Sequence, residues 1–298
     1  MMSEPGERIP PRAFLVLGVG LLSISTSVVF IRLAGSAPGE AVAVWRTVFG
    51  ALLVAPMALL KAREELGTME RREWGLILLS GVFLGLHFVT WINSLYHTSV
   101  ASAASLVALS PIFLAILGFL VLKERLRTAE LIALLIATVG VAALGWVDRE
   151  PTAGAADNPI LGNSLALSAA AFMSVYLLVG RFVRQRRSWL AYVGPVYVVT
   201  AITTLTVAKV QGIALLGWSW EVYALCLGMA FVPHLMGHGS VNWSLRYVPA
   251  ATVGLASLAL PVFSSLWGGL FFGEIPSAPA LAAMSLILGA LVLVVRRS

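Results

Sequence analysis

Charged residues are scarce in this sequence of 298 residues. They make up 11% of it, whereas an ordinary soluble domain carries roughly 25%. Hydrophobic residues make up 59%, which is more than the core of a soluble protein can absorb. The composition therefore predicts a protein that lies largely in the lipid bilayer.

Other shortages exclude further classes of protein. Cys226 is the single cysteine, so an intrachain disulfide is excluded. No connection between apolar segments is long enough for a soluble domain, and the longest are 61–73 and 147–159. The formal net charge of +6 does not indicate nucleic-acid binding, because the basic residues form short clusters and not one long polar face.

Ten apolar segments are long enough to cross the membrane as helices, which takes about 20 residues each. Numbered as spans 1 to 10, they are 14–31, 42–60, 74–95, 100–122, 129–146, 160–180, 190–210, 222–243, 250–272 and 279–295. The sequence therefore predicts an all-α polytopic membrane protein. Span 1 has no small-residue cleavage site behind it, so we expect it to be retained and not removed as a signal peptide.

The connections alternate in positive charge. Sixteen Lys and Arg residues lie in the N-terminal tail 1–13, in the connections after spans 2, 4, 6 and 8, and at the C-terminus. The other side holds three: Arg32, Arg149 and Lys209, the last at the end of span 7. Positively charged loops stay in the cytoplasm. Both termini are therefore predicted to be cytoplasmic, and 147–159 is predicted to be an external linker.

An internal repeat relates the two halves of the chain. Residues 93–124 align without gaps with 243–274, and eight of the 32 positions are identical. The identities include a mid-span proline, a glycine and a terminal glutamate: Pro111/Pro261, Gly118/Gly268 and Glu124/Glu274. We interpret the halves, 14–146 and 160–298, as two five-helix repeats.

Because five is an odd number, the second repeat must cross the membrane in the opposite direction. This inversion explains why Lys123 of the first repeat is replaced by Gly273 in the second, along with two arginines nearby. The first loop is held in the cytoplasm by its charges, and the second lies outside. Inverted repeats are typical of secondary transporters, whose substrate site lies near the midplane between the halves.

Polar and aromatic side chains recur on one face of span 3 and one face of span 8. Such groups inside a bilayer usually face the bundle interior or a wet cavity. The predicted substrate-binding residues are His87, Trp91, Tyr176, His234, His238, Asn242 and Trp243. Trp91 lies toward the outer end of span 3 and Trp243 toward the inner end of span 8, so they are candidates for gates on opposite sides of the membrane. Whether the serines of span 1 contact the substrate is left open, because such hydroxyls often bond to a backbone carbonyl of their own helix.

Ionisable groups are nearly absent from the middle of the spans. No Asp, Glu or Lys lies there, and Arg46 is placed near an outer span end, where we expect its side chain to snorkel to the surface. A carrier of phosphates needs fixed cations. We therefore expect a small, nearly neutral cargo, such as an amino acid with an apolar or aromatic side chain.

A metal site is the alternative for the histidines of span 8. His234 and His238 are four residues apart, but Leu235 stands where the motif H-E-x-x-H has its glutamate. We expect neither a metal nor another cofactor. A membrane-embedded enzyme that uses these histidines, and a lipid flippase, remain as alternative functions.

Three features of the chain resemble the EamA-type drug/metabolite transporter superfamily. They are the two five-helix halves, the proline in spans 4 and 9, and the sequences "LKE" and "FGE" that close those spans. The resemblance covers nearly the whole chain and is strongest to the YddG-type aromatic amino acid exporters of bacteria. It implies ten helices around a central cavity, alternating access, and export of small metabolites across the bacterial inner membrane. The segment "GEIPSAP" departs from the pattern, because prolines replace a polar turn.

Three expectations concern mechanism and assembly. Pro111 and Pro261 each remove a backbone hydrogen bond in mid-helix, so we predict hinges there. We expect facilitated transport down a gradient, since no span carries a carboxylate at mid-depth; proton coupling through histidine is the alternative. The protein is expected to be a monomer, with a homodimer as the alternative.

Overall fold

A computed structural model of the chain describes residues 10–98, 100–123, 128–147, 158–273 and 277–297. All regular structure in these ranges is helical. Eight of the helical runs are long and apolar enough to cross a membrane, and two shorter apolar helices, 131–143 and 278–290, occupy the places of spans 5 and 10. The chain is therefore an all-α multi-pass membrane protein.

The helices follow one another with short connections. The first half contains α1 (Pro11–Ser25), α2 (Ser27–Leu33), α3 (Gly39–Lys61), α4 (Arg63–Gly67), α5 (Arg71–His97), α6 (Val100–Val107), α7 (Ser110–Leu117) with a π-helical turn (Gly118–Leu122), and α8 (Thr128–Val147). The second half contains α9 (Pro159–Arg184), α10 (Trp189–Val210), α11 (Trp220–Met229), a π-helical segment (Ala230–His238), α12 (Gly239–Ser244), α13 (Ala250–Ser257), α14 (Leu260–Phe272) and α15 (Ala278–Arg297). Spans 1, 4, 8 and 9 are each built from more than one of these pieces.

Local chemistry determines where several helices begin. The Asn158 side chain accepts a hydrogen bond from the backbone N–H of Leu161 at 3.1 Å and thereby caps α9. The Glu70 and Glu73 side chains form a capping box at the start of α5. Pro38 directly precedes α3, which begins at Gly39, three residues before the predicted start of span 2.

Spans 4 and 9 are interrupted at corresponding positions. The break falls at Ala108–Leu109 in span 4 and at Leu258–Ala259 in span 9, exactly one repeat offset of 150 residues apart. Pro111 and Pro261 lie in the first turn of the helices that follow. A proline ring clashes with the preceding turn of a helix and offers no N–H to it, so each helix restarts there. The role of these breaks as hinges stays a prediction.

The ends of the same two spans also correspond. Lys123 and Gly273 end them with left-handed backbone angles, φ 57° and 68° respectively. Glycine adopts this conformation freely, whereas a residue with a Cβ pays for it in strain. The described residues do not include Glu124 and Glu274, the last identical pair of the repeat. They also leave out most of the linker 147–159.

The packing of the helices is symmetric with respect to the two halves. Span 3 packs on span 6 and span 8 packs on span 1, while spans 2 and 7, and spans 5 and 10, pack on each other. When spans 1–5 are exchanged with spans 6–10, the pair of spans 3 and 6 becomes the pair of spans 8 and 1. The pair of spans 2 and 7 and the pair of spans 5 and 10 stay the same. A pseudo-twofold arrangement of this kind places the spans of both halves around one centre.

Small residues allow the closest approach between these helices. A Cβ added to Gly81 of α5 would lie 2.5 Å from the Cβ of Val199 on α10, and one added to Gly85 would lie 2.8 Å from that of Thr203. Spacing of small residues by four positions is the usual means of close packing between membrane helices. The contact joins one helix from each half.

The predicted orientation can be tested with single cysteines. Glu64 is exposed on α4, between spans 2 and 3, and Ala214 is exposed between spans 7 and 8. The positive-inside rule places these positions on opposite sides of the membrane. In intact cells, a membrane-impermeant thiol reagent should label Ala214→Cys and not Glu64→Cys, and the buried Cys226 should add little background. Labelling of Glu64→Cys alone would reverse the topology.

Candidate functional site

A cavity of about 60 Å³ lies between the two halves and is bordered by spans 1, 2, 3, 4, 6, 8 and 9. Its polar and aromatic lining consists of Ser25, Ser27, Arg46, His87, Phe88, Trp91, His238 and Ser264. The volume has room for a few water molecules, whereas an engineered cavity that binds benzene measures about 150 Å³. A metabolite could therefore enter only after the cavity widens.

Two of the predicted histidines border this cavity. His87 of α5 is 4% exposed and His238 of span 8 is 2% exposed, and their ring centroids are 6.2 Å apart. Nδ1 of His87 lies 2.9 Å from the carbonyl oxygen of Ala169. A carbonyl can only accept, so Nδ1 carries the proton, and in the neutral ring Nε2 is left as an acceptor.

Three other predicted residues form a layer behind the cavity. Tyr176, His234 and Asn242 are fully buried, and none of them is part of the cavity lining. The Asn242 amide donates to the Tyr176 hydroxyl and, at 2.8 Å, to the carbonyl oxygen of His238. This network fixes the backbone that carries His238.

The backbone of span 8 is unusual where it carries its histidines. Residues Ala230–His238 are π-helical, and Pro233 lies inside this segment. Proline withholds one backbone N–H, and π-helical turns are frequent at functional sites. His234 packs against Gly50 of α3, where an added Cβ would lie 2.7 Å from Nδ1. Neither nitrogen of the His234 ring makes a well-formed hydrogen bond within the described residues, although the backbone of Arg46 lies beside the ring.

The two tryptophans predicted as gates differ in their surroundings. Trp91 borders the cavity from span 3. Trp243 lies on α12, where it stacks on Tyr247 with ring centroids 4.7 Å apart and packs against the main hydrophobic core. The structure therefore brings His87, Trp91 and His238 to the cavity and leaves Trp243 away from it.

The expectation for Arg46 is wrong. Its side chain does not snorkel to the membrane surface: it is 1% exposed and borders the central cavity. Because α3 begins at Gly39, Arg46 lies two helical turns inside the span. Pro38 is the signal in the sequence that marks the earlier start of α3, and it would have placed Arg46 deep in the membrane.

The guanidinium of Arg46 is held by neutral groups. It lies over the ring of Phe88, with Cζ 4.2 Å from the ring centroid, and Nη1 donates to the Ser27 hydroxyl at 3.1 Å. Its Nε has no hydrogen-bond partner. Among the described residues no carboxylate pairs with Arg46, since the ion pair they contain joins Arg187 to Glu73.

Tyrosines of span 7 are further site residues that the sequence pattern did not reveal. Tyr197 is fully buried; its hydroxyl donates to the carbonyl oxygen of His234 at 3.0 Å, and the two ring centroids are 4.0 Å apart. The Tyr192 hydroxyl lies 2.5 Å from Oγ of Ser80 on span 3. Both contacts tie span 7 to the two helices that carry the histidines.

An ionic network joins the two halves on the side that the charge distribution predicts to be cytoplasmic. Arg187, between spans 6 and 7, donates to both carboxylate oxygens of Glu73, at 2.7 and 2.5 Å, and to the carbonyl oxygen of Thr68 at 3.1 Å. The neighbouring N–H of Ser188 donates to the Glu65 carboxylate at 2.6 Å. The network fastens this side of the bundle in the conformation described.

No cluster of three metal-ligating side chains occurs in the part of the chain that the structure describes. His234 and His238, with ring centroids 6.0 Å apart, thus have no third ligand there. The side chains around the cavity offer hydrogen bonds, aromatic faces and one positive charge, which suits the binding of a small organic molecule.

Comparison with known proteins places these features in a family. Residues 11–146 and 160–296 both match the profile of the EamA-like transporter family. An uncharacterized transporter of Methanothermobacter thermautotrophicus is 23% identical over 200 residues, which is 65% of this chain and 54% of that protein. The chain thus spans about half the length of this relative.

Two further relatives are matched over most of their length. The pseudopaline exporter CntI from two strains of Pseudomonas aeruginosa is 25% and 24% identical to this chain, and each match covers 84% of both proteins. A solved crystal structure superposes with a TM-score of 0.75 at 20% identity and covers 95% of this chain and 96% of its own, which shows a shared fold. These relatives do not distinguish the YddG-type subfamily, which stays a prediction.

Proposed function

The chain belongs to the EamA-like transporter family, and from this premise we propose that it exports amino acids with apolar or aromatic side chains. The observation that carries the proposal is the cavity between the halves, which combines aromatic faces with hydrogen-bonding groups. Phe88 and Trp91 would contact an apolar or aromatic side chain. The names of the two pseudomonad relatives support export as the direction of transport.

Transport would proceed by alternating access around the cavity. In this conformation the ion pair of Arg187 and Glu73 joins the two halves on the side predicted to be cytoplasmic. The volume of about 60 Å³ requires helices to move before a substrate fits. The broken spans 4 and 9 are suited to that motion, because Ala108 and Leu260, at the edges of the two breaks, border the cavity.

Counterflow into proteoliposomes tests the proposed function. Vesicles that contain the purified protein are loaded with unlabelled amino acid and diluted into trace labelled amino acid, using a panel from alanine to tryptophan. We expect uptake of labelled phenylalanine, leucine or tryptophan above that of protein-free vesicles. Absence of counterflow for every amino acid of the panel would refute this cargo class.

His238 offers a prediction within this assay. His238→Leu keeps the volume of the side chain and removes its hydrogen bonds to substrate, each of which contributes about 1 kcal/mol or more. We expect counterflow to fall about tenfold while the thermal stability changes little, because Nδ1 of His238 has no partner in the described residues. His97→Leu, at the end of α5 and away from the cavity lining, is the control. Equal rates for the two variants would place the site elsewhere.

The same vesicles can be used to test whether transport is driven by the substrate gradient or by a proton gradient. With substrate at equal concentration on both sides, we expect no net accumulation when a pH gradient is imposed, because no carboxylate borders the cavity in the described residues. Accumulation that follows the gradient and is lost in His87→Ala would instead show proton coupling through histidine.

A further inference from the structure

Resting on the proposed transport function, we infer that Arg46 is the binding residue for a carboxylate of the substrate. The carboxylate, and not the amino group, is then the charged feature that the site requires. The substrate class becomes small apolar or aromatic carboxylates, of which amino acids are one kind.

The first reason is the unbalanced charge of Arg46. It is 1% exposed and stays protonated under ordinary conditions. A buried charge is usually paired, since burying it alone is strongly unfavourable. No carboxylate borders the cavity or pairs with Arg46 among the described residues. A substrate anion would supply the missing partner.

The second reason is the way the guanidinium is held. One face lies over the Phe88 ring, and Nη1 is engaged by Ser27. These contacts fix its position and still leave Nε without a partner. A guanidinium has five N–H donors in a planar fork that matches a carboxylate in two-point contact. The Nε–H of Arg46, which has no partner, and the neighbouring cavity therefore form a receptor for an oxygen anion.

The third reason is the sign of the charge that borders the cavity: within the described lining it is positive, and no carboxylate lies beside it to pair with a cation. The serine hydroxyls and the neutral histidines of the lining could accept hydrogen bonds from an ammonium group, but they surround the positive charge of Arg46 and supply no negative charge. Arg46 would repel an amine that lacks a carboxylate. Removing the ammonium from an amino acid should accordingly be tolerated, whereas removing its carboxylate should abolish binding.

Three phenyl compounds of nearly the same size separate these contributions: phenylalanine, 3-phenylpropionate and phenethylamine. Binding to the purified protein is measured by thermal unfolding over a range of ligand concentrations, since a ligand of the folded state raises Tm. We expect phenylalanine and 3-phenylpropionate to raise Tm, and phenethylamine to bind about 100-fold more weakly. If phenethylamine stabilises the protein as well as 3-phenylpropionate does, or if neither carboxylate stabilises it, the inference is wrong.

Two variants separate ligand binding from a structural role. Arg46→Met removes the charge and keeps an apolar stem, so we expect the Tm of the ligand-free protein to stay or rise and the response to 3-phenylpropionate to vanish. Arg46→Lys keeps the charge without the fork and should retain a weak response. A fall in Tm for Arg46→Met, with the response to 3-phenylpropionate kept, would assign Arg46 a purely structural role.

The result for transport remains separate from the result for binding. If the wild-type protein binds both carboxylates and loses this binding in Arg46→Met, but shows no counterflow of amino acids, the carboxylate site stands and the proposed cargo fails. If amino acids exchange equally well through wild-type protein and Arg46→Met, the transport function stands and the role of Arg46 fails.

Discussion

Counterflow should be lost when Ala104 is replaced by leucine. Ala104 lies on α6 and borders the central cavity, whose volume of about 60 Å³ would be largely filled by the larger side chain. Overpacking of this kind usually destabilises a protein by about 1–3 kcal/mol, so the variant should still fold. We therefore expect uptake of labelled phenylalanine at the level of protein-free vesicles, together with a cooperative thermal unfolding transition.

A matched substitution on the outside of the bundle controls for effects on folding and insertion. Ala142 lies on α8 with its side chain exposed, and Ala142→Leu adds the same atoms at a lipid-facing position. This variant should exchange substrate at the wild-type rate. Unchanged counterflow in Ala104→Leu would mean that substrate does not pass through the central cavity.

Replacing both mid-span prolines should slow transport without abolishing binding. In the variant Pro111→Ala with Pro261→Ala, each new N–H can bond to the carbonyl of the residue four positions earlier, Val107 or Ser257, and join the two pieces of the helix. A proline within a helix costs about 3 kcal/mol, so the continuous helix should become strongly favoured. We expect the initial rate of counterflow to fall by about tenfold or more.

The comparison of rate with affinity makes this prediction specific. Thermal unfolding with 3-phenylpropionate should show ligand binding within the wild-type range, because neither proline supplies a polar group to the cavity. Pro56→Ala is the control, since Pro56 lies inside the uninterrupted helix α3 and is exposed. Wild-type rates in the double variant would show that the breaks in spans 4 and 9 are not hinges.

Most of the architecture follows from local features of the sequence. Apolar length determines the membrane segments, and the match of Pro111 with Pro261 locates the break in each half, because proline interrupts a helix wherever it occurs. His87 and Trp91 were found by helical periodicity, which reports the face a residue shares with others. Periodicity does not report depth along the membrane.

The features that sequence reasoning missed depend on depth and on distant partners. Arg46 was misplaced because the predicted span began three residues late, which moved it from two turns inside the helix to its end. The contact of Arg187 with Glu73 joins residues 114 positions apart, and no local pattern encodes such a pair. Tyr197 approaches His234 only because spans 7 and 8 pack together, which hydropathy alone does not specify.

The central claim, that the substrate binds in the cavity between the halves, can be tested directly by photoaffinity labelling. The purified protein is irradiated with a diazirine derivative of phenylalanine, with and without excess phenylalanine, and the labelled residues are identified by mass spectrometry. We expect labelling at Trp91 or Met173, both of which border the cavity, and suppression of that labelling by free phenylalanine. Labelling confined to lipid-exposed residues, or labelling of the cavity that free phenylalanine does not suppress, would contradict the account.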